Sequence, residues 1–369
     1  MLISKIYLNN YKKEISIISL NVNNYLIINN LVSIPSFFDK ILQTIFKKKL
    51  PSSELILTSF YLQFLSDKSL YYSKIIMYKN KKKRVLYEPA FKLKHIQKYI
   101  LYDVLYRNKI EYKLDECVTG FIAKKGILEN AKPHLNRVAI VKMDIKDFFP
   151  SITRKMIYNI FRKYNKFSYE YAYILSHLVT YEDALPQGAP TSPFLANICA
   201  KGIDYKINKL IEVINRRQKM NIAYTRYADD ITISFDKPFN YDYIVNVVTQ
   251  IIFDEGFYPN LQKTNIIKHH HCQMVTGIVV NNDVPTIEKK QREKIKFILG
   301  IWKKYGIDDA IALWNKHRFG RVIDVTTEDK GVGKFIEVIE GKITYFQMVN
   351  EEQNRKLFEM YKVLYDALP

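Results

Sequence analysis

The sequence predicts an α+β fold built around a split βαβ sheet, and three observations support this. An apolar run from Val138 ends in the acid Asp144, as expected of a buried strand. Two β-rich runs flank residues 227–230 (YADD) as a hairpin. A helical pattern over 241–255 stops at Gly256 and leads to another strand. The order strand, helix, hairpin, helix, strand is that of a ferredoxin-like sheet.

The segments before this sheet alternate between helical and strand patterns. Residues 36–66 predict two helices separated at Leu50-Pro51-Ser52, because proline interrupts a helix. Residues 71–88 predict a basic hairpin or loop, and apolar spacing predicts a helix over about 91–107. The first 35 residues contain β-like runs to which we assign no role.

Helices dominate the remaining elements. One is predicted from near Ser151, and another from Ser192-Pro193, interpreted as N-cap and first helical residue, to about Ile214. After Val284 the pattern is helical again, near 286–304, 307–316 and 351–367. The predicted divisions are 1–70, 71–137, 138–285 with inserted helices at about 151–184, and 286–369.

Charge and length restrict the class of protein. The chain has 369 residues and a net charge of +20, with 57 Lys and Arg against 37 Asp and Glu. Such a balance is typical of proteins that bind a polyanion, and nucleic acid is the leading partner. Aromatic residues make up 14% of the chain, which suits stacking on single strands or RNA. A solvated basic surface is the alternative for any single cluster.

The cysteines and the N-terminus indicate a soluble protein of a reducing compartment. Cys117, Cys199 and Cys272 are widely separated, so neither a disulfide framework nor a paired zinc knuckle is expected. Polar residues interrupt the first apolar segment, and no apolar run approaches membrane-spanning length. We expect a cytoplasmic location and no membrane association.

The adjacent acids Asp229 and Asp230 carry the chemical prediction. A second pair, Asp308-Asp309, precedes a helical pattern and is interpreted as an ordinary helix start. The first pair instead occupies a predicted hairpin turn, where neighbouring side chains can converge with Asp144 at a strand end. Phosphoryl transfer commonly uses two Mg²⁺ ions about 3.5–4 Å apart, held by carboxylates. The alternative for Asp144 is a cap of the following helix.

Two further positions suit a nucleotide. Gly188, in LPQGAPTSP, permits close approach to the backbone before a helix N-terminus, although an ordinary loop is the alternative. Lys263, in GFYPNLQKTNI, could reach a phosphate, or could be a solvated surface lysine.

These motifs together resemble the reverse transcriptases, and among them the bacterial retron reverse transcriptases. MDIKDFFPSI, LPQGAPTSPFLANI, YTRYADDITIS and GFYPNLQKTNI are similar to the family's motifs A to D in order and spacing. Asn130-Ala131-x-x-His134 resembles the retron NAxxH region, and Val275-Thr276-Gly277 the retron VTG triplet. The resemblance extends from about residue 76 to the C-terminus.

The resemblance implies a right-hand polymerase with fingers (71–137), a ferredoxin-like palm (138–285) and a helical, RNA-binding thumb (286–369), with 1–70 extending the fingers. It implies Asp144, Asp229 and Asp230 as catalytic metal ligands for two Mg²⁺ ions. The implied contacts to the incoming deoxynucleotide are Arg84, Lys79, Phe149 as steric gate, Gln187, Gly188 and Lys263. The implied RNA-binding residues are Asn130, His134, Val275, Thr276 and Gly277.

The implied activity is copying of a structured noncoding RNA into DNA, primed from a 2′-hydroxyl to leave a branched RNA–DNA molecule (msDNA). The implied partners are that RNA, its DNA product, deoxynucleotides and an effector protein in anti-phage defence. The sequence departs from the family in its Lys-rich turn before Arg84, and residues 323–334 are unfamiliar.

Two other motifs are interpreted as structural. His269-His270-His271-Cys272 lacks a second ligand pair and predicts a polar strand. Gly331-Val332-Gly333-Lys334 lacks the full phosphate-loop spacing and predicts a turn. The alternative functions are a viral-type RNA polymerase, which Phe149 disfavours, another bacterial reverse transcriptase such as an intron-like or abortive-infection enzyme, and an inactive RNA-binding scaffold.

Overall fold

A computed structural model describes residues 57, 61, 64, 68–79, 82–107, 112–319 and 330–368. Contacts divide the chain into two compact units, of which one comprises Met1–Asp115 with Lys146–Gly202 and the other Glu116–Ile145 with Ile203–Pro369. The two helices predicted over 36–66 lie almost entirely outside the described residues, as do residues 1–35.

The first unit contains the predicted basic hairpin and helix. Strands β1 (Tyr72–Lys79) and β2 (Lys82–Pro89) are antiparallel. Helix α1 (Phe91–Tyr99) follows and continues as a π-helical stretch, Ile100–Leu105, which confirms the helix predicted over 91–107. A short 3₁₀ turn, Lys68–Tyr71, precedes the hairpin.

The next helix along the chain, α2 (Ile127–Ala131), belongs to the second unit. The first unit continues with α3 (Phe148–Ser151), α4 (Arg154–Lys163), α5 (Tyr169–Leu178) and α6 (Ser192–Cys199). Helix α4 begins at Arg154 and confirms the helix predicted from near Ser151. The extended Ile152 separates it from α3, and the Thr153 side chain caps α4 by accepting the Met156 N–H at 3.4 Å.

The helix predicted from Ser192 to Ile214 is divided into two helices, which corrects the sequence-based interpretation. Thr191, not Ser192, is the N-cap of α6. Helix α7 (Lys201–Gln218) begins after a break at Ala200. Gly202 lies just past the break, and glycine is among the weakest helix formers.

The second unit contains the predicted four-stranded sheet. Its strands are β3 (Ala139–Asp144), β4 (Ala223–Tyr227), β5 (Asp230–Phe235) and β6 (Asn265–Lys268), in the order β4-β5-β3-β6. Neighbouring strands are antiparallel, so the ferredoxin-like arrangement is confirmed. Helix α8 (Tyr241–Asp254) buries Ile244, Val248, Ile251 and Ile252, the spacing of one helix face.

The chain after the sheet is helical, as predicted. A small hairpin of β7 (Met274–Val275) and β8 (Ile278–Val279) precedes α9 (Lys289–Tyr305), α10 (Ile307–Phe319), α11 (Lys330–Val349) and α12 (Glu351–Asp366). Trp302, Trp314 and Phe335 join one apolar core here. Asp308 and Asp309 lie in the first turn of α10, which confirms their interpretation as a helix start. None of the described helices combines the length and apolar character needed to cross a membrane.

Two structural predictions for this region are wrong. Residues 331–334 do not form a turn but the beginning of α11, because Phe335, Ile339 and Ile343 bury one face of that helix in the core and packing outweighs the low helix propensity of glycine. Residues 269–272 do not extend β6, which ends at Lys268. They form a turn in which the Asn281 side chain donates to the backbone carbonyls of His269 and His271, each at 2.8 Å.

Candidate active site

The sheet brings the predicted acids together at the end of its two inner strands, β3 and β5. Asp144 is the last residue of β3 and lies directly opposite Asp230, the first residue of β5. Directly paired residues on antiparallel strands have Cβ atoms about 4.5–5.5 Å apart and point to the same face. Asp229 lies in the two-residue turn before Asp230, and the Ile145 N–H donates to its carbonyl at 2.9 Å. The Asp144 side chain therefore lies beside that of Asp230, and the hydrogen bond from Ile145 to Asp229 connects the end of β3 to the turn.

Asp144 is buried and has two polar partners. Lys263 Nζ lies 2.7 Å from its Oδ1, and Asn260 Nδ2 donates to its Oδ2 at 3.1 Å. The Asn260 backbone N–H also donates to the Asp144 carbonyl at 2.7 Å. The predicted lysine thus lies within this acidic site, held there by the short 3₁₀ turn Leu261–Lys263.

The grouping of like charges affects protonation. Burial, then the neighbouring Asp230 and Asp144, raises the pKa of Asp229 to about 6. Burial also raises the pKa of Asp230, while Lys142 opposes this shift. Hydrogen bonding to Asp144 raises the pKa of Lys263, so the ammonium form is favoured. Like charges this close repel one another, and a bound cation would relieve that repulsion.

The donor atoms fit a hard divalent cation, although their present positions do not form a closed cage. Carboxylate oxygens are the ligands that Mg²⁺ prefers. Across the part of the chain that the structure describes, no three Asp, Glu, His or Cys side chains are grouped as metal ligands. Asp144 instead pairs with Lys263 and Asn260.

A second segment, residues 116–120, packs against the turn that carries the acids. Val118 forms a parallel bridge with Arg226 of β4, and Gly120 lies against the backbone of Tyr227 and Ala228. A Cβ atom at Gly120 would lie 2.6 Å from the Ala228 nitrogen and 3.0 Å from the Tyr227 carbonyl carbon. Only glycine permits this approach of two backbones.

The other residues predicted to contact a nucleotide belong to the first unit. Arg84 is exposed on β2, and the side chain of Lys79 lies outside the described residues. The Tyr87 N–H donates to the Gln187 carbonyl at 2.8 Å. Gly188 has φ +122°, and a Cβ there would lie 2.9 Å from the Tyr87 carbonyl oxygen. The LPQGAPTSP loop is thereby held against β2.

Phe149 lies on α3 in the same unit and is partly buried. Its ring packs edge-on against that of Phe148, with centroids 5.7 Å apart. The first unit therefore groups the Gln187-Gly188 loop with β2, while the three aspartates and Lys263 are grouped in the second unit.

The residues of the NAxxH and VTG motifs form a largely internal network in the second unit. Asn130 is fully buried; its Oδ1 accepts from Thr119 Oγ1 at 2.7 Å, and its Nδ2 lies 3.5 Å from Thr276 Oγ1. Val275 is also fully buried, whereas Gly277 is exposed and has φ +86°. Of the predicted RNA-binding set, only Thr276 and Gly277 have accessible surface in this conformation.

His134 is also fully buried, beneath the hairpin that carries the acids. Its Nδ1 and Nε2 lie 2.7 Å from Ser234 Oγ and 2.8 Å from Thr225 Oγ1, respectively. His134 is therefore not a surface histidine in this structure. Because the two hydroxyls belong to β5 and β4, His134 braces both strands of the hairpin.

Acid is expected to destabilise the protein through His134. Burial lowers the pKa of His134 to about 3, whereas an unfolded histidine titrates near 6.5. The unfolded state binds the extra proton between these pH values, so the free energy of unfolding falls as pH decreases below about 6.5, by about 2 kcal/mol at pH 5.

Urea unfolding of wild type and His134→Gln between pH 7.5 and 5 measures this pH dependence. The variant should lose that part of the pH dependence, and the exposed His270→Gln should retain it; equal slopes in all three proteins would contradict the assignment.

Sequence reasoning missed two residues of the site. Asn260 lies three residues before Lys263, a spacing that one 3₁₀ turn brings to the same side. Gly120 follows β-branched residues in CVTGF, and a glycine in such a context often marks a close backbone approach. Neither signal identifies the partner, which lies far away in sequence.

Comparison with known proteins identifies the family of this chain. Residues 68–301 match the family model "Reverse transcriptase (RNA-dependent DNA polymerase)". The chain is 31% identical to the Retron Se72 reverse transcriptase of Salmonella heidelberg over 64% of this chain and 63% of that protein. It is 31% identical to the Retron Ec73 reverse transcriptase of Escherichia coli over 60% of this chain and 72% of that protein. The matched region thus spans slightly less than two thirds of the Se72 protein.

Among solved structures, telomerase from Candida albicans in complex with a telomeric RNA fragment is similar at a TM-score of 0.45 and 11% identity, over 82% of this chain and 65% of that one.

The matched region includes the hairpin of the first unit and the complete four-stranded sheet with its three aspartates. The α+β right-hand polymerase fold expected from the motifs is confirmed, with a ferredoxin-like palm sheet. This chain belongs to the reverse transcriptase family, and within it to the retron reverse transcriptases.

Proposed function

We propose that this protein is an RNA-directed DNA polymerase that copies a structured noncoding RNA into single-stranded DNA. The observation that carries the proposal is the pairing of Asp144 with Asp230 across β3 and β5, with Asp229 in the adjoining turn. The net charge of +20 supports an RNA template and a nucleic-acid product, because lysine and arginine neutralise phosphates. Deoxynucleotides are the proposed substrates.

Asp144, Asp229 and Asp230 are the residues that would hold two Mg²⁺ ions. Bound Mg²⁺ would lower the barrier to attack by a 3′-hydroxyl and neutralise the leaving pyrophosphate. Lys263 and Asn260 keep the Asp144 carboxylate at the strand end. Each of the two Asp144 oxygens accepts one of these hydrogen bonds, and a carboxylate has about four lone-pair sites, so Asp144 could bind a cation while it keeps both partners.

The remaining nucleotide contacts are also proposals. Arg84, Lys79, Gln187 and Gly188 are assigned to the triphosphate and base pocket, and Lys263 to the leaving group. Thr276 and Gly277 are the proposed RNA contacts of the VTG motif. Buried Asn130 and Val275 support that surface from within, while buried His134 braces the β4–β5 hairpin. The boundaries of fingers, palm and thumb remain as predicted from sequence.

Retron membership favours a particular product. We propose priming from a 2′-hydroxyl of the template RNA, which leaves a branched RNA–DNA molecule. We further propose a cytoplasmic role in anti-phage defence with an effector protein. An intron-like or abortive-infection reverse transcriptase would make unbranched DNA, and an inactive scaffold would make none.

The test is to purify the protein from its native locus and treat the bound nucleic acid with RNase, DNase and debranching enzyme. DNA attached to RNA through a 2′–5′ bond is expected. Bound RNA without DNA would support a scaffold, and DNA unaffected by debranching enzyme would support another class of reverse transcriptase.

Phe149 is expected to select deoxynucleotides. Replacing it with valine should open space for a ribose 2′-hydroxyl and reduce the preference for dNTP over rNTP on the order of 10²-fold. Single-nucleotide extension with dTTP and UTP measures both kcat/KM values. Phe253→Val, which changes an exposed phenylalanine on α8, should leave the ratio unchanged. An unchanged ratio in Phe149→Val would contradict the steric-gate assignment.

A further inference from the structure

A buried ion pair lies directly beside the acidic turn. Arg226, on β4, is fully buried, and Asp204, on α7, is only 1% exposed. Arg226 Nε donates to Asp204 Oδ1 at 2.8 Å, and Nη2 donates to Oδ2 at 2.6 Å. The third nitrogen, Nη1, donates to the Ala228 carbonyl at 3.1 Å. The guanidinium therefore connects α7 to the residue that precedes Asp229.

The surroundings complete the hydrogen bonding of this pair. The Tyr224 hydroxyl donates to Asp204 Oδ1 at 2.7 Å. Removing two charges from water is costly, and apolar replacement of a buried pair is often neutral or stabilising. A gain in stability therefore does not by itself explain why this position holds a charged pair. A role in fixing the geometry of the neighbouring turn explains it better.

The turn itself needs external support. Ala228 has φ +60°, a conformation that alanine rarely adopts and that two-residue hairpins usually assign to Gly, Asn or Asp. Ala228 is also buried at 7% exposure, so its carbonyl requires an internal partner. Arg226 supplies that partner, and the guanidinium has a rigid shape that defines where the carbonyl lies.

We propose that Asp204 and Arg226 are positioning residues that hold the acidic turn in its catalytic geometry. Asp204 orients the guanidinium, the guanidinium holds the Ala228 carbonyl, and this contact sets the position of Asp229. The proposal rests on the proposed polymerase function, since the geometry matters for DNA synthesis only if the turn is catalytic. The predicted structural effect on the turn does not depend on activity.

The experiment compares wild type with the double variant Asp204→Leu/Arg226→Met. Both charges are removed together, so no buried charge is left unpaired, and the thermal midpoint should change little. In primer extension with dTTP, kcat should fall about 10²-fold, with KM for dTTP changed by less than about threefold. Lys206→Met is the matched control, because Lys206 lies on the same helix as Asp204 but pairs with Glu255, at the end of α8, in a partly exposed position.

Hydrogen exchange provides a readout that global destabilisation would not reproduce. The Ile145 N–H donates to the Asp229 carbonyl at 2.9 Å and reports on the turn, while Val141 in the middle of β3 reports on the sheet. In the double variant, exchange at Ile145 should accelerate about tenfold or more relative to Val141, because the turn opens locally. If the double variant fails to fold, Arg226→Lys provides the same comparison, since one ammonium cannot reproduce all three contacts.

The outcomes separate the two proposals. Selective acceleration at Ile145 supports the positioning role, and unchanged relative exchange overturns it whatever happens to DNA synthesis. If wild type makes no DNA while the variant still exchanges faster at Ile145, the polymerase proposal fails and the structural assignment stands. Full kcat in the folded double variant overturns the catalytic part of the inference.

Discussion

Replacing Asp229 with asparagine is expected to reduce DNA synthesis by about 10³-fold or more, equivalent to about 4 kcal/mol of transition-state stabilisation. Asparagine has nearly the same shape but no negative charge, so the proposed metal ligand is weakened while the turn is preserved. Burial and two neighbouring aspartates already raise the pKa of Asp229. Removing its charge therefore relieves repulsion, and the thermal midpoint should be unchanged or higher.

The measurement is extension of a DNA primer on an RNA template at saturating Mg²⁺, together with RNA binding by filter retention. RNA affinity should be retained. Asp309→Asn is the control, because this exposed acid of the second adjacent pair lies in the first turn of α10. A variant that retains more than a tenth of wild-type synthesis would exclude Asp229 as an essential ligand.

Replacing Gly120 with alanine is expected to damage both stability and catalysis. The new Cβ would lie 2.6 Å from the Ala228 nitrogen, and backbone atoms on both sides leave no flexible side chain to move aside. Overpacking of this kind costs about 1–3 kcal/mol. A displacement of the turn by a fraction of an ångström or more is expected to reduce kcat by about 10²-fold.

Urea unfolding and primer extension measure the two effects. Gly300→Ala provides the comparison, because a Cβ atom at this position of α9 would meet no neighbouring atom within 4 Å and alanine favours helix by about 1 kcal/mol. That control should be active and at least as stable as wild type. A Gly120→Ala protein with normal stability and normal kcat would show that the 116–120 segment does not support the turn.

Sequence reasoning succeeded where the signal is local. The alternation of β3, the hairpin of β4 and β5 and the glycine stop after α8 all depend on residues close in the chain. The contrast between Asp229-Asp230 and Asp308-Asp309 could also be drawn from flanking residues alone, and the structure places the first pair at a hairpin and the second at a helix start.

Local signals failed where packing decided the outcome. Residues 331–334 look like a turn but are helical, because Phe335 and Ile339 bury the face of α11. The resemblance implies RNA contacts at Asn130 and His134, and the structure buries both side chains in hydrogen-bonded positions. In both cases the deciding partners are remote in sequence, so composition and spacing could not reveal them.

The sequence by itself determined the reverse transcriptase family of the chain and the order of its sheet elements, and it predicted the three aspartates of the proposed site, because motifs and short-range periodicity record these features directly. Only the tertiary structure decided how the acids are held. Asp144 lies opposite Asp230 and pairs with Lys263 and Asn260, while Gly120 and Arg226 support the turn from behind. These contacts join distant segments, and the close packing of the folded interior selects them.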